Sequence, residues 1–254
     1  SKPAGASIAA AAGAQVKKST LELGGSDPFI VLEDVDLQQA VEVAVAGRMW
    51  NAGQVCVSPK RVLVPASKYE AFLSKTKDAF AQLKVGNPLD ADTNVAPLSS
   101  EKAAVDVVAQ VQKAAEQGAH VILGGKRVDR AGAFVEPTLI TDITPDMDAY
   151  YEEIFGPVFQ LYRYNTIDEA IEIANATEFG LGGTVFGKDT QKAVEVARKI
   201  DTGMVYINHV TGIAPELPFG GTKESGYGRE QSPAGIYEFV NAKLIRTTTP
   251  DANY

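Results

Sequence analysis

The chain is poor in the residues that most metal and redox chemistry needs. It has one cysteine, Cys56, and two histidines, His120 and His209, far apart in sequence. One cysteine leaves no intrachain disulfide and no cysteine-based zinc site. Two scattered histidines do not favour a metal centre or a Ser-His-Asp triad, and both are expected to be structural. His120 would open a strand at the surface. His209 would end one, with a substrate contact as its alternative role. Positive charge is also short: 24 Lys and Arg stand against 32 Asp and Glu, a net charge of −8. With no basic cluster, nucleic-acid backbones and anionic membrane surfaces are poor partners. No apolar run approaches the roughly 20 residues of a membrane span. The Ala-rich start, Ser1 to Gly13, lacks the basic flank and apolar core of a signal peptide. A cytoplasmic location is therefore expected, and a lone cysteine in a reducing compartment is either core filler or a nucleophile.

What is present describes a globular α/β chain. Of 254 residues, 45% are hydrophobic and 22% charged, enough to bury a sizeable core. Apolar stripes at helical spacing run through Leu37–Val45, Phe72–Leu83, Val105–Ala115, Ile167–Ala174 and Ala193–Ala197. Short apolar runs alternate with them and read as strands at Phe29–Leu32, Arg61–Val64, His120–Leu123, Val158–Tyr162, Gly183–Phe186 and Met204–Ile207. That alternation predicts an α/β fold with a mainly parallel sheet over about Ser26 to Ile213. Ser67 is placed to cap the Phe72 helix, and Asn165-Thr166 to cap the Ile167 helix. Pro215 to Gly228 is read as a loop, Ser232 to Phe239 as a short helix and Leu244 to Thr248 as a terminal strand. A strand after a closed domain lacks an internal partner and tends to pair with another chain.

Three islands carry possible chemistry. Cys56 follows Trp50-Asn51-Ala52-Gly53-Gln54-Val55 and precedes Val57-Ser58-Pro59. Gly53 is placed to end the preceding helix and Pro59 to keep it from resuming. The sulfur would then sit on a turn where backbone N–H groups could hold an oxyanion. The alternative is a buried cysteine between two valines. Glu22, in Leu21-Glu22-Leu23-Gly24-Gly25, either faces solvent at a strand end or is a desolvated carboxylate with a raised pKa, suited to act as a general base. In Tyr151-Glu152-Glu153-Ile154-Phe155-Gly156-Pro157, a carboxylate could bind ribose hydroxyls while the ring packs on a flat heterocycle.

The three islands in this order resemble the C-terminal half of the NAD(P)-dependent aldehyde dehydrogenase family. Leu21 to Gly25 matches its glutamate signature, Asn51 to Cys56 its cysteine signature and Glu153 to Pro157 its cofactor-ribose motif. Pro218-Phe219-Gly220-Gly221-Thr222-Lys223-Glu224-Ser225-Gly226-Tyr227-Gly228-Arg229-Glu230 matches its late glycine-rich motif. The similarity runs along essentially the whole chain. Met49, where the family usually has an aromatic, and Ser26, where Lys or Asn is common, depart from the pattern.

The resemblance implies a mechanism and a site. Cys56 would attack an aldehyde and Glu22 would activate the water that hydrolyses the resulting thioester. NAD or NADP would contact Ser1, Leu23, Glu153 and Phe155, while Trp50, Val55, Val57 and Phe219 would line the substrate pocket. It also implies a division into 1–25 as the end of a cofactor-binding domain, 26–213 as a catalytic domain, 214–240 as a glycine-rich return to the cofactor domain, and 241–254 as an oligomerisation strand. Ser1-Lys2-Pro3-Ala4-Gly5 matches the end of a Gly-Ser-x-x-x-Gly cofactor motif, with Ser1 capping a helix. The chain alone would then bind NAD poorly and be inactive as a dehydrogenase. Among family members it is most similar to bacterial succinate-semialdehyde dehydrogenases. An arginine found in part of that group six residues before the nucleophile is Trp50 here, and Arg48 lies one helical step away. Two readings compete with that substrate: a general aliphatic aldehyde, and a catalytic and oligomerisation module with at most esterase activity.

Overall fold

A computed structural model describes residues 1–250. The chain opens with α1 (Lys2–Ala14), β1 (Leu21–Glu22), β2 (Asp27–Val31), α2 (Leu37–Met49) and β3 (Pro59–Pro65). It continues through α3 (Tyr69–Phe80), α4 (Glu101–Glu116), β4 (His120–Leu123), β5 (Thr138–Thr141), β6 (Val158–Tyr164) and α5 (Ile167–Asn175). It closes with β7 (Phe179–Gly180), β8 (Thr184–Phe186), α6 (Thr190–Ala197), β9 (Tyr206–Ile207), β10 (Thr222–Lys223), β11 (Gly226–Tyr227) and α7 (Ser232–Glu238).

The core is a seven-stranded sheet in the order β4-β5-β6-β3-β2-β8-β9, parallel at every pairing except β4 with β5. The expected α/β fold is present. Central strands buried on both faces need continuous apolar runs, and Phe29-Ile30-Val31 and Val62-Leu63-Val64 are completely buried. Turns leaving the carboxyl ends of the strands are short and capped. Asp36 accepts from the Gln39 N–H, Thr166 from Glu169, and Asp189 from Gln191 and Lys192.

Two expectations need correction. Ser67 does not cap α3. Lys68 occupies that position without a side-chain cap bond, and the Ser67 hydroxyl donates to the Glu33 carboxylate instead. The stretch from Pro215 to Gly228 is not all loop. Thr222-Lys223 pairs antiparallel with β7 and Gly226-Tyr227 with β1, so segments 1–25 and 214–240 meet. Strand β5 had not been anticipated, because Thr138-Leu139-Ile140-Thr141 is short and follows a turn-rich stretch. Leu244 to Thr248, expected to pair with another chain, joins no ladder among the described residues of this single chain, and Leu244 and Ile245 are 88% and 80% exposed. Residues 251–254 of the expected oligomerisation segment lie outside the described residues.

Arg61 joins this fold to the site. Buried in β3, it donates Nε and Nη2 to the Ser26 carbonyl at 2.9 and 2.8 Å. It also reaches Ile173 O (2.5 Å) and Ala174 O (2.9 Å) in the last turn of α5, where the helix dipole is negative. The guanidinium thereby fixes the approach to β2 without a carboxylate partner. Arg61→Met should lower unfolding free energy by about 2 kcal/mol or more, because it removes the donors of the buried Ser26 and Ala174 carbonyls. Denaturant titration measures this, and a loss below about 1 kcal/mol would contradict it.

Candidate active site

The site forms at the amino ends of the parallel strands. Glu22 to Asp27 leads into β2, Cys56 to Pro59 into β3, Glu153 to Pro157 into β6, and Gly182 into β8. Open α/β sheets more often use the carboxyl ends. Here those ends carry the short capped turns, and the glycine-rich connections lie at the opposite edge.

The Cys56 turn is built from strained backbone. The helix α2 ends at Met49, not at Gly53, and a 3₁₀ turn follows. Asn51, Ala52 and Gly53 all adopt left-handed conformations, with φ of 49°, 54° and 74°. For the two non-glycine residues this costs of order 1 kcal/mol each. Only glycine fits at position 53, because a Cβ there would collide with the Gly156 carbonyl. Beyond the turn, the Ser58 N–H and hydroxyl both donate to Val55 O, at 3.2 and 3.0 Å.

Two buried cations lock this turn to its neighbours. Arg48, at the end of α2, donates to Gly53 O (3.1 Å) and Ser58 Oγ (2.5 Å) on the cysteine side. On the other side it donates to Ile154 O (2.7 Å), Gly156 O (2.6 Å) and Val158 O (2.6 Å). It is a structural clamp and not a substrate anchor. Lys60 donates to Val55 O at 2.9 Å and Cys56 O at 2.8 Å, and pairs with Glu153 Oε1 at 3.1 Å. Glu153 Oε1 also accepts from the Gly25 N–H at 3.1 Å. Gly24 and Gly25 permit the close approach: a Cβ at 24 would strike the Glu153 carboxylate, and one at 25 the Cys56 carbonyl.

The electrostatics separate the roles. Glu22 lies in β1, and both of its carboxylate oxygens are buried without a hydrogen-bond partner among the described residues. Burial, aided by Glu230 and opposed by Arg229, pushes its pKa to about 7. An acid with this value and no competing donor is suited to take a proton from water near neutral pH. Burial also pushes the Cys56 thiol above its ordinary value. The Lys60 charge opposes the rise first, and a hydrogen bond from the Val57 backbone less strongly; Asp27 and Glu153 add to it. Asp27, buried at the start of β2, is raised to about 6 by desolvation while it accepts from the Gly182 N–H at 3.0 Å.

The expected site residues are only partly brought together. Val55, Val57 and Phe219 cluster with Cys56, Leu181 and Met204. Trp50 does not join them. It is 63% exposed and lines a groove of about 820 Å³ between α2 and α3 with Met49, Val45, Ala79 and Leu83. Glu153 and Phe155 lie together, the ring 5.9 Å from Lys60 Nζ and 42% exposed. Leu23 packs over Gly5 of α1, and Ser1 holds the N-cap position without a side-chain cap bond. His120 pairs with Asp142 at the surface, and His209 Nδ1 sits 2.6 Å from Val210 O. Sequence reasoning missed Lys60, Arg61 and Asp27. The signal was there: charged residues beside or inside the apolar runs of two central strands.

The Glu22 shift makes a stability prediction. Its folded value, about 7, lies above its ordinary 4.5. The folded chain therefore holds the proton more tightly, a contribution present below about pH 4.5 and lost as pH rises through 7. Glu22→Gln, uncharged throughout, should be more stable than the parent at pH 8 by about 1–2 kcal/mol after allowance for partial exposure. The difference should close toward pH 4. Denaturation midpoints across that range measure it, and a variant less stable at pH 8 than at pH 4, relative to the parent, would contradict it.

Similarity to known proteins agrees with this geometry. The sequence pattern of the Aldehyde dehydrogenase family matches residues 1–245. A succinate-semialdehyde dehydrogenase [NADP(+)] of Deinococcus radiodurans is 52% identical over 246 residues, covering 97% of this chain and 52% of that protein. One from Mycobacterium tuberculosis is 51% identical over 245 residues, covering 96% of this chain and 54% of that protein. The chain thus spans about half the length of the curated relatives it matches. Among solved structures, succinic semialdehyde dehydrogenase from Streptococcus pyogenes in complex with NADP+ superposes with a TM-score of 0.96 at 47% identity, covering 98% of this chain and 55% of that one. Betaine aldehyde dehydrogenase from Staphylococcus aureus in complex with NAD+ gives a TM-score of 0.92 at 38% identity, over 95% of this chain and 50% of that one. The chain belongs to the aldehyde dehydrogenase family.

Proposed function

We propose that this chain supplies the catalytic half of an enzyme that oxidises an aldehyde, best succinate semialdehyde, to the carboxylic acid with NAD(P). The observation that carries the proposal is an unpartnered, desolvated Glu22 on the segment whose Gly25 packs against the carbonyl of the only cysteine. The relatives named for succinate semialdehyde and NADP+ support the substrate and favour NADP.

The Cys56 thiol gives its proton to solvent, and the thiolate adds to the aldehyde carbon through a new C–S bond as the C=O pair moves to oxygen, giving a thiohemiacetal anion. The Cys56 backbone N–H provides one donor for the developing oxyanion. When held by Glu153 and Phe155, NAD(P)+ would supply the hydride acceptor that lets the alkoxide pair re-form C=O as a thioester on Cys56. Glu22 then takes a proton from water as the water attacks the thioester. The acid and the free thiol are released, and the base is restored. The chain's residues fit such a cofactor. Glu153 uses Oε1 for its bonds to Lys60 and Gly25, leaving Oε2 for a ribose hydroxyl, and the exposed Phe155 ring offers a flat apolar surface. Leu23 and Ser1 border the same side. Val55, Val57 and Phe219 form the apolar wall around the nucleophile.

A second reading is favoured by the exposure of Trp50 and Phe155 together with the half-length match. In it the chain by itself is an ester-hydrolysing and self-associating module without dehydrogenase turnover. The exposed Leu244 and Ile245 would pair with a second copy, and a cytoplasmic setting suits the reduced thiol.

On the full-length enzyme, succinate semialdehyde should exceed hexanal in kcat/KM by at least tenfold, about 1.4 kcal/mol of transition-state binding. Preference for hexanal would overturn the substrate assignment. Cys56→Ala should abolish NADPH formation and ester hydrolysis alike, and retention of either at parental rate would refute the nucleophile. Deleting residues from Leu244 onward should give monomers by light scattering, and an unchanged mass would count against pairing through that segment.

A further inference from the structure

One buried charge near Cys56 has no part in the steps above. Lys60 is 1% exposed, and a buried ammonium survives only where its protons are all accepted. Here they are: Val55 O at 2.9 Å, Cys56 O at 2.8 Å and Glu153 Oε1 at 3.1 Å. These acceptors belong to two different parts of the site, and one atom joins them. The first two are the carbonyls of the nucleophile and of the residue before it. The third is the carboxylate that borders the exposed Phe155 ring.

The alternatives for this lysine are less economical. A lysine kept only for packing would be replaced by an apolar side chain at lower desolvation cost. A lysine kept only to hold the turn would duplicate Arg48, which already ties Gly53 and Ser58 to Ile154, Gly156 and Val158. What Arg48 does not do is contact Cys56 or Glu153 by hydrogen bond. Lys60 contacts both.

We propose that Lys60 is a positioning residue that fixes the Cys56 backbone and the Glu153 carboxylate through one ammonium and sets a positive charge beside the nucleophile. The proposal rests on Cys56 being that nucleophile. The groups facing Lys60 are Glu153, Asp27 and Arg48, and those facing Cys56 are Lys60, Asp27 and Glu153. Both Asp27 and Glu153 disfavour the thiolate, so Lys60 is the cation that offsets them.

The test uses the chain's single cysteine as its own reporter. Iodoacetamide alkylation rates are followed from pH 7 to 10.5 in the parent, in Lys60→Met and in Lys60→Gln, with circular dichroism to establish folding. Gln restores donors to the carbonyls without the charge. In both variants the midpoint of the rate profile should move up and the rate at pH 8 should fall roughly five- to tenfold, as expected for a shift approaching one unit. A purely packing role would lower the whole profile without moving its midpoint, or would be rescued by Gln, and either result overturns the proposal.

If neither variant folds, the parent labelled with ¹⁵N-lysine decides. One exchange-protected Nζ resonance is expected, and it should shift on alkylation of Cys56 and in Glu153→Gln. Absence of that resonance, or its indifference to both changes, overturns the proposal. Neither readout needs aldehyde or cofactor, so failure of the proposed oxidation and failure of this inference are separately visible.

Discussion

Three buried cations answered chiefly by backbone carbonyls organise this structure. Arg48, Lys60 and Arg61 are each at most 1% exposed, and among them only Lys60 has a carboxylate in contact. Loops at the amino ends of parallel strands have no ladder to hold them. Their carbonyls must find donors or remain unsatisfied out of water. Arg61 fastens the approach to β2 onto the end of α5, Arg48 fastens the cysteine turn onto the approach to β6, and Lys60 joins the same turn to Glu153. The loops of the site are tied together through their own backbone carbonyls.

That arrangement accounts for the division of labour among the acids. Glu153 is held in place by an ammonium and a backbone N–H. Asp27 has the Gly182 N–H on one oxygen, and its other oxygen has no partner among the described residues. Glu22 has neither oxygen satisfied, and its pKa rises to about 7. Three carboxylates within one set of loops differ because their donors differ. The one left without donors is the one able to serve as a base. The cost appears as lost stability at higher pH, the usual relation between a functional acid and its fold.

Much of the fold was legible in the sequence. The apolar run at Phe29–Leu32 is continuous, and that at Val158–Tyr162 is broken only by the buried Gln160, because both strands are covered on both faces. For Cys56 and Glu22 the local patterns left a packing reading open, and only the motifs taken together and in order singled them out. Other features depend on contacts distant in sequence. Ser67 looked like a cap, but Glu33, 34 residues earlier, captures its hydroxyl. Trp50 precedes the nucleophile by six positions, but three left-handed residues between them turn its ring toward α3. Lys60 looked like the polar edge of a strand until the carbonyls of residues 55 and 56 and the carboxylate of residue 153 were seen around it. Leu244–Thr248 has strand propensity but joins no ladder among the described residues, and propensity alone cannot form one.

The central claim is that Cys56 carries the acyl group and Glu22 releases it. Peptide mass spectrometry after a brief exposure to an activated ester tests this directly, because it locates the adduct and its lifetime together. The account predicts an acyl group on Cys56 that turns over in the parent and persists in Glu22→Gln. An adduct on another residue, or one on Cys56 that disappears equally fast in both proteins, would contradict it.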